Sequence, residues 1–224
     1  MDAPSSFRSG RPIPWSNLAG VVFPRDLTHS LELAQQPPET IHNRPHPGTF
    51  MAVLGRKAIL QAIQEGWIAI TPFVPERVGP ASLDLTLART FRVFRKVHQV
   101  IEVREHTDYR QLTEKIEVPE GEHILIMPGE TVLGITQERL RLGPGLCGWL
   151  EGRSRFARLG LMVHISAPFM GPGIDSQQVL EMSNFGPAPL AVYPGTAICQ
   201  FVFQKLEGSE SYAGSFAGQT EDSF

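Results

Sequence analysis

The chain has 224 residues, 42% of them hydrophobic and 19% charged, with a formal charge of −3. That is enough apolar material for one sizeable core plus a tail, and the mild acidity argues against a protein that grips nucleic-acid backbone through a broad basic face. No run approaches the apolar length that spans a bilayer and the first residues lack the hydrophobic stretch of a secretory leader, so a cytoplasmic protein with no membrane partner is expected.

Residues 1–50 carry Pro12, Pro14, Pro37, Pro38 and the run HNRPHPG, which reads as an irregular N-terminal extension of unreadable role. Residues 55–66 place Ile59, Leu60 and Ile63 on one face with a glycine at the exit, the pattern of a short amphipathic helix. Beyond it the period changes to two. Leu83, Leu85 and Leu87 alternate, as do Phe91 and Val93, and further strand-like runs fall at 123–127, 131–136, 146–150, 162–165, 178–184 and 197–203. Many short strands separated by glycine and proline turns imply an all-β sandwich or barrel. The Pro-Gly pairs at 128–129 and 194–195 each precede a strand-like run, the internal echo that a double-Greek-key jelly roll gives. Cys147 and Cys199 lie far apart in apolar runs and are expected as two buried free thiols rather than a disulfide. Residues 207–224 are glycine-rich, polar and aperiodic, so alone they form a flexible tail.

The chemistry concentrates in one run, Glu151-Gly152-Arg153-Ser154-Arg155-Phe156-Ala157-Arg158-Leu159-Gly160, followed by Val179-Leu180-Glu181. Three guanidinium groups within six positions, a serine between two of them and flanking glycines suit an anionic ligand that takes bidentate nitrogen donors and close backbone approach. Phosphate is the natural candidate.

At this run the chain resembles the dCTP deaminases of the trimeric dUTPase superfamily, whose signature is close to E-G-[RK]-S-S-L-[AG]-R-L-G-L-x-[VI]-H followed by a carboxylate in a V-L-E-like strand. Here the residues are EGRSRFARLGLMVH and then VLEMSN. The element from Gly79 to Leu85 (GPASLDL) resembles the family's PAS-x-D-L, Pro128-Gly129-Glu130 its P-G-E strand entry, and Phe216-Ala217-Gly218-Gln219 its C-terminal Y-Q-G-Q, so the likeness covers roughly residues 54–220. It implies a mainly β fold, a distorted jelly-roll or dUTPase-like β-barrel with a few short helices, over residues 51–206. It also implies that the tail, 207–224, closes over a bound nucleotide, and that the protein is a homotrimer whose sites combine residues of neighbouring subunits.

Hydrolytic deamination of cytosine needs water at C4, a base for its proton, and proton delivery to N3 and the leaving amine. By the resemblance Glu181 is the acid/base, Ser154 and the carbonyl of Ala167 place the water, and Arg158 holds the ring edge or steadies developing charge. Ser154 stands 27 positions before Glu181 and four before Arg158, the family's spacing without a gap. Gly152, Arg153 and Ser154 are expected at the phosphates, and Asp175, Tyr212, Phe216 and Gln219 as further substrate contacts. Zinc deaminases carry H-x-E with P-C-x-x-C. The chain has neither element, so zinc-free chemistry is expected, with magnesium carried by the triphosphate and no metal ligands on the protein.

Taken singly, each residue also has an ordinary structural reading. A glutamate in such a strand commonly lies on a solvated face, an arginine pairs with an acidic neighbour, Ser154 caps a turn, His164 packs in the interior and Asp84 anchors a turn or subunit contact. Their joint arrangement carries the functional reading. The departures are equally specific: where the family reads D-P-G-W-x-G, with the aspartate on the sugar 3′-hydroxyl and the aromatic shaping the sugar pocket, this chain reads Gly171-Pro172-Gly173-Ile174-Asp175-Ser176. Ser215 replaces a family lysine, and Pro168 and Phe169 stand where polar residues are common. Weaker rejection of CTP is therefore expected, with Asp175 as the candidate substitute contact. Gly173-Ile174-Asp175 also resembles the dUTPase motif that holds a water-activating aspartate, without the aromatic that follows it. Two alternatives stay open, a dUTPase or bifunctional deaminase-diphosphatase and a nucleotide-binding relative with another cytosine-nucleotide substrate.

Overall fold

Helix α1 (Arg56–Gln64) forms where the helical period puts Ile59 and Ala62 on one buried face, and the chain leaves it through Gly66 at φ +80°. In the computed structural model the described residues are 52–96, 98, 100–209, 211–214 and 216–224, so the N-terminal extension and Ser215 lie outside them. Among these, no helix is long and apolar enough to cross a membrane.

Eleven strands follow: β1 (Ile68–Thr71), β2 (Leu83–Phe94), β3 (Thr113–Glu117), β4 (Ile124–Ile126), β5 (Thr131–Leu142), β6 (Leu146–Gly152), β7 (Leu161–Met162), β8 (Phe169–Met170), β9 (Asp175–Asn184), β10 (Leu190–Val192) and β11 (Ala197–Lys205). A one-turn helix, α2 (Ser154–Ala157), interrupts them after β6. Nine strands make one antiparallel sheet in the order β7-β9-β5-β2-β11-β6-β8, with β1 beside β5 and β3 beside β2, and β4 pairs with β10 in a second. The sheet curls into a half-barrel, and the mainly β, jelly-roll-like class expected from the alternation is the fold observed. The two Pro-Gly turns do echo each other, since Gly129 and Gly195 both take positive φ and lead into β5 and β11, which flank β2 in the main strand order.

The core is the inner face of this sheet. Leu83, Leu85, Leu87 and Phe91 of β2 meet Phe201 and Phe203 of β11, all essentially unexposed. Gly148 on β6 lets the layers close, because a Cβ there would lie 2.3 Å from the Phe201 ring and from the Val202 carbonyl oxygen. β5 runs six residues further than its apolar stretch. Arg139 and Arg141 face outward, Leu140 and Leu142 inward, and Glu138 is buried at 2% exposure. That buried carboxylate is satisfied by Arg77 at 2.6 Å and the Thr86 amide at 2.7 Å, which is how a charged position remains inside a strand. The run at 162–165 is shorter as a strand than expected, because only Leu161 and Met162 pair with β9 and the chain then bends away at Val163.

Both cysteines are free and buried, Cys147 on β6 and Cys199 on β11, and burial pushes both thiols upward in pKa. A thiolate is the reactive form. Neither should react with a disulfide reagent such as DTNB at neutral pH on the timescale of a free thiol, whereas denaturant should release two equivalents at once.

Candidate functional site

The strand alternation of β9 builds one wall of a cleft. Ser176, Gln178, Leu180 and Met182 are buried, while Gln177, Val179 and Glu181 turn to the opposite, half-buried face. Same-face neighbours on a strand are about 6.6 Å apart. Those three side chains therefore form a row along a cleft of about 780 Å³. Its other walls are Thr131 and Leu133 of β5, the segment from His164 to Gly171, Phe94 and Tyr109, and the tail residues Tyr212, Phe216 and Gln219.

Glu181 is held at one end of the row. Its Oε2 accepts from the Ser166 amide at 3.2 Å, the Ser166 hydroxyl at 3.4 Å and the Ile165 amide at 3.4 Å, while Oε1 has no partner among the described residues. One oxygen is thus fixed and the other presented. The adjoining segment is itself pinned, since Leu150 donates its amide to the Pro168 carbonyl at 3.0 Å and β8 pairs with β6. Ala167 lies in that pinned stretch and lines the cleft. His164, expected as an interior packing residue, instead lines the cleft with both ring nitrogens buried and unpartnered among the described residues.

Of the residues expected at the site, one protomer brings together Glu181, Ala167, Tyr212, Phe216 and Gln219. Gly152, Arg153, Ser154, Arg158 and Asp175 do not line the cleft. Arg153 is engaged elsewhere, with Asp84 at 2.9 Å and the Ala197 carbonyl at 2.6 Å, so Asp84 anchors the arginine-bearing turn. Asp175 pairs with Arg139 at 2.7 Å rather than turning inward. Ser154 and Arg158 bracket exposed α2, and neither Arg155 nor Arg158 has a carboxylate partner among the described residues. A Cβ at Gly152 would meet nothing within 4 Å, so no atom of the protomer itself requires glycine there. Among the described residues, no lysine or arginine lines the cleft.

The tail packs against the 171–173 segment. Tyr212 donates its amide to the Pro172 carbonyl at 2.7 Å, and its side chain lies where a Cβ on Gly171 would touch it at 3.5 Å. Gly173, at φ +75°, has Ser211 so close that an added Cβ would fall 2.9 Å from its hydroxyl oxygen. Ile174 is buried and also borders the cleft. Sequence reasoning did not identify Tyr109, Phe94, Gln177 or Thr131 as cleft residues. The only advance signal was the period of β9 for Gln177, because the others arrive through tertiary pairing.

Comparison with known proteins follows the same lines. A family model described as dCTP deaminase-like matches residues 53–206. The chain is 37% identical over 158 residues to a dCTP deaminase, dUMP-forming, of Methanobrevibacter smithii, covering 70% of this chain and 81% of the relative. It is 36% identical over 174 residues to the protein of the same name from Salinispora tropica, covering 75% and 90%. Among solved structures it is similar to the 2′-deoxycytidine 5′-triphosphate deaminase of Agrobacterium tumefaciens, with a TM-score of 0.55 at 18% identity over 69% of this chain and 48% of that one, a likeness of fold.

Proposed function

This chain belongs to the dCTP deaminase-like family, and from that premise we propose that it hydrolyses the exocyclic amine of dCTP, with Glu181 moving every proton, to give dUTP and ammonia. The observation that carries the reading is the presented Oε1 of Glu181 on a cleft wall whose Oε2 is tied back to Ser166. The carboxylate takes a proton from water as its oxygen adds to C4 and passes that proton to N3. It then takes the second proton from the new C4 hydroxyl and delivers it to the amine, which leaves as ammonia. One water is consumed, and Glu181 ends as it began.

The triphosphate needs cations, and none of the described residues lining this cleft supplies one. In the proposed homotrimer the exposed α2 turn of a neighbouring copy supplies Ser154 to the water, Arg158 to the ring edge, and Gly152 and Arg153 to the phosphates. Leu159 and Phe185, 61% and 70% exposed beside that turn, support a subunit contact there. Magnesium arrives with the nucleotide. The reaction itself is proposed to be zinc-free, because the two cysteines sit buried on separate strands and the chain has no H-x-E. EDTA should slow turnover by removing substrate-borne magnesium, and elemental analysis of active protein should find zinc far below one equivalent per chain.

A second reading adds hydrolysis of the α–β phosphate bond, giving dUMP and pyrophosphate. It is favoured by the dUMP-forming name of the relatives. One assay tests both. Purified protein incubated with dCTP, CTP, dCMP and dUTP is followed for ammonia and pyrophosphate together. Ammonia alone from dCTP supports the first reading, both products support the second, and neither from any nucleotide overturns the assignment. The CTP lane tests the sugar expectation at Gly171 and Ile174, with Tyr212 lying beside Gly171.

A further inference from the structure

The tail does not trail away after crossing the cleft; it turns back and is fastened. We propose that Phe224 and Arg92 are positioning residues, which hold the tail as a strap fixed at both ends and thereby set Phe216 and Gln219 in the cleft wall. The kinetic part of this proposal rests on the deaminase reading above.

Phe224 is 1% exposed, in a socket of Ala88, Leu133 and Ile135 with Tyr109 and Val179 packed against it. Tyr109, Leu133 and Val179 also line the cleft, so socket and cleft share a wall. Arg92 of β2, 9% exposed, forms part of the same anchor. Its Nη1 donates to the Thr113 hydroxyl at 3.1 Å, its Nη2 donates to the main-chain oxygen of Phe224 at 3.0 Å, and its guanidinium carbon lies 5.8 Å from the ring centres of both Tyr109 and Phe224. A buried guanidinium depends on such oxygens and ring faces. Removing the Phe224 side chain takes away one of the rings and the apolar plug.

Between the anchor and the cleft the strap is tied directly to the catalytic strand. Gln177 of β9 donates its amide to the Gln219 carbonyl at 2.9 Å and accepts from the Glu221 amide at 2.7 Å. Lys115 reaches the Glu221 carbonyl at 2.6 Å, and the Thr90 hydroxyl donates to the Glu221 carboxylate. Gln219 donates to the Tyr109 hydroxyl at 3.3 Å. A segment already ordered before the nucleotide arrives loses less conformational freedom on binding, which raises affinity rather than the rate of the chemical step.

The test compares Phe224→Ala with Phe224→Leu, which keeps an apolar plug. Chymotrypsin without nucleotide reads the strap through cleavage after Tyr212 and Phe216, and steady-state kinetics with dCTP read the cleft. Phe224→Ala is expected to be cut about 10-fold faster and to raise KM about 10-fold with kcat within about twofold, the pattern of lost binding without lost chemistry. Phe224→Leu should recover most of both effects. Unchanged protease resistance, or a loosened tail with an unchanged KM, overturns the proposal. If the unmodified protein turns over no dCTP, the functional reading alone fails, and the protease comparison still decides whether the anchor exists.

Discussion

Glu181→Gln is expected to release ammonia from dCTP at least ~100-fold more slowly than the unmodified chain, a loss of about 2.7 kcal/mol of transition-state stabilisation, while the nucleotide still binds. The amide keeps the shape and keeps an oxygen that can accept from Ser166 and Ile165, which now anchor the carboxylate. What it loses is the presented basic oxygen. Because the same group serves water, N3 and the amine in turn, the measured loss should exceed that of an ordinary general base. Binding is checked by titration calorimetry and turnover by ammonia detection. Near-normal ammonia release sinks the mechanism, whereas loss of both binding and turnover would mean that Glu181 holds the cleft together instead.

The second large effect concerns where the arginines act. Glu181 lies in the cleft, while Ser154 opens α2 and Arg158 caps it, both outside the cleft. Glu181→Gln and Arg158→Ala should each be nearly inactive when purified alone. Co-expressed in equal amounts, they should recover about a quarter of the unmodified activity, because a shared site is whole only when its glutamate and its arginine each come from the chain that still has it. The recovered activity should track mixed trimers separated by a tag on one chain. No recovery in verified mixed trimers would show that the two residues serve one protomer or different purposes.

The parts of this molecule that were legible in the sequence are those where burial imposes a period. The α1 face, the leucine alternation of β2, the β9 row that carries Glu181 and the paired Pro-Gly turns all follow from local rules, while of the site residues the resemblance implies, one protomer's cleft gathers Glu181, Ala167, Tyr212, Phe216 and Gln219. The second half of β5 was not legible, because Glu138, Arg139 and Arg141 read as a polar loop unless Arg77 is known to reach Glu138 from 61 residues away. His164 reads as packing from sequence, since nothing local distinguishes an interior imidazole from one that borders a cleft. The tail read as flexible because its composition is polar and glycine-rich. Its order comes from Phe224, Glu221 and Gln219 reaching β2, β3 and β9, contacts that no local pattern encodes. Asp175 pointed inward by analogy alone, and Arg139, diagonally across on β5, claims it.

The strand order has a consequence for how the protein is made. β11 lies between β2 and β6, although it is the last of the eleven strands to be synthesised. Until residue 205 has emerged from the ribosome, β2 and β6 have each lost a central partner and offer open main-chain edges to other nascent chains. Translation that stalls or terminates before Ala197 would therefore yield a sheet that lacks its middle rather than a slightly shortened barrel, and such fragments should be recovered as aggregates.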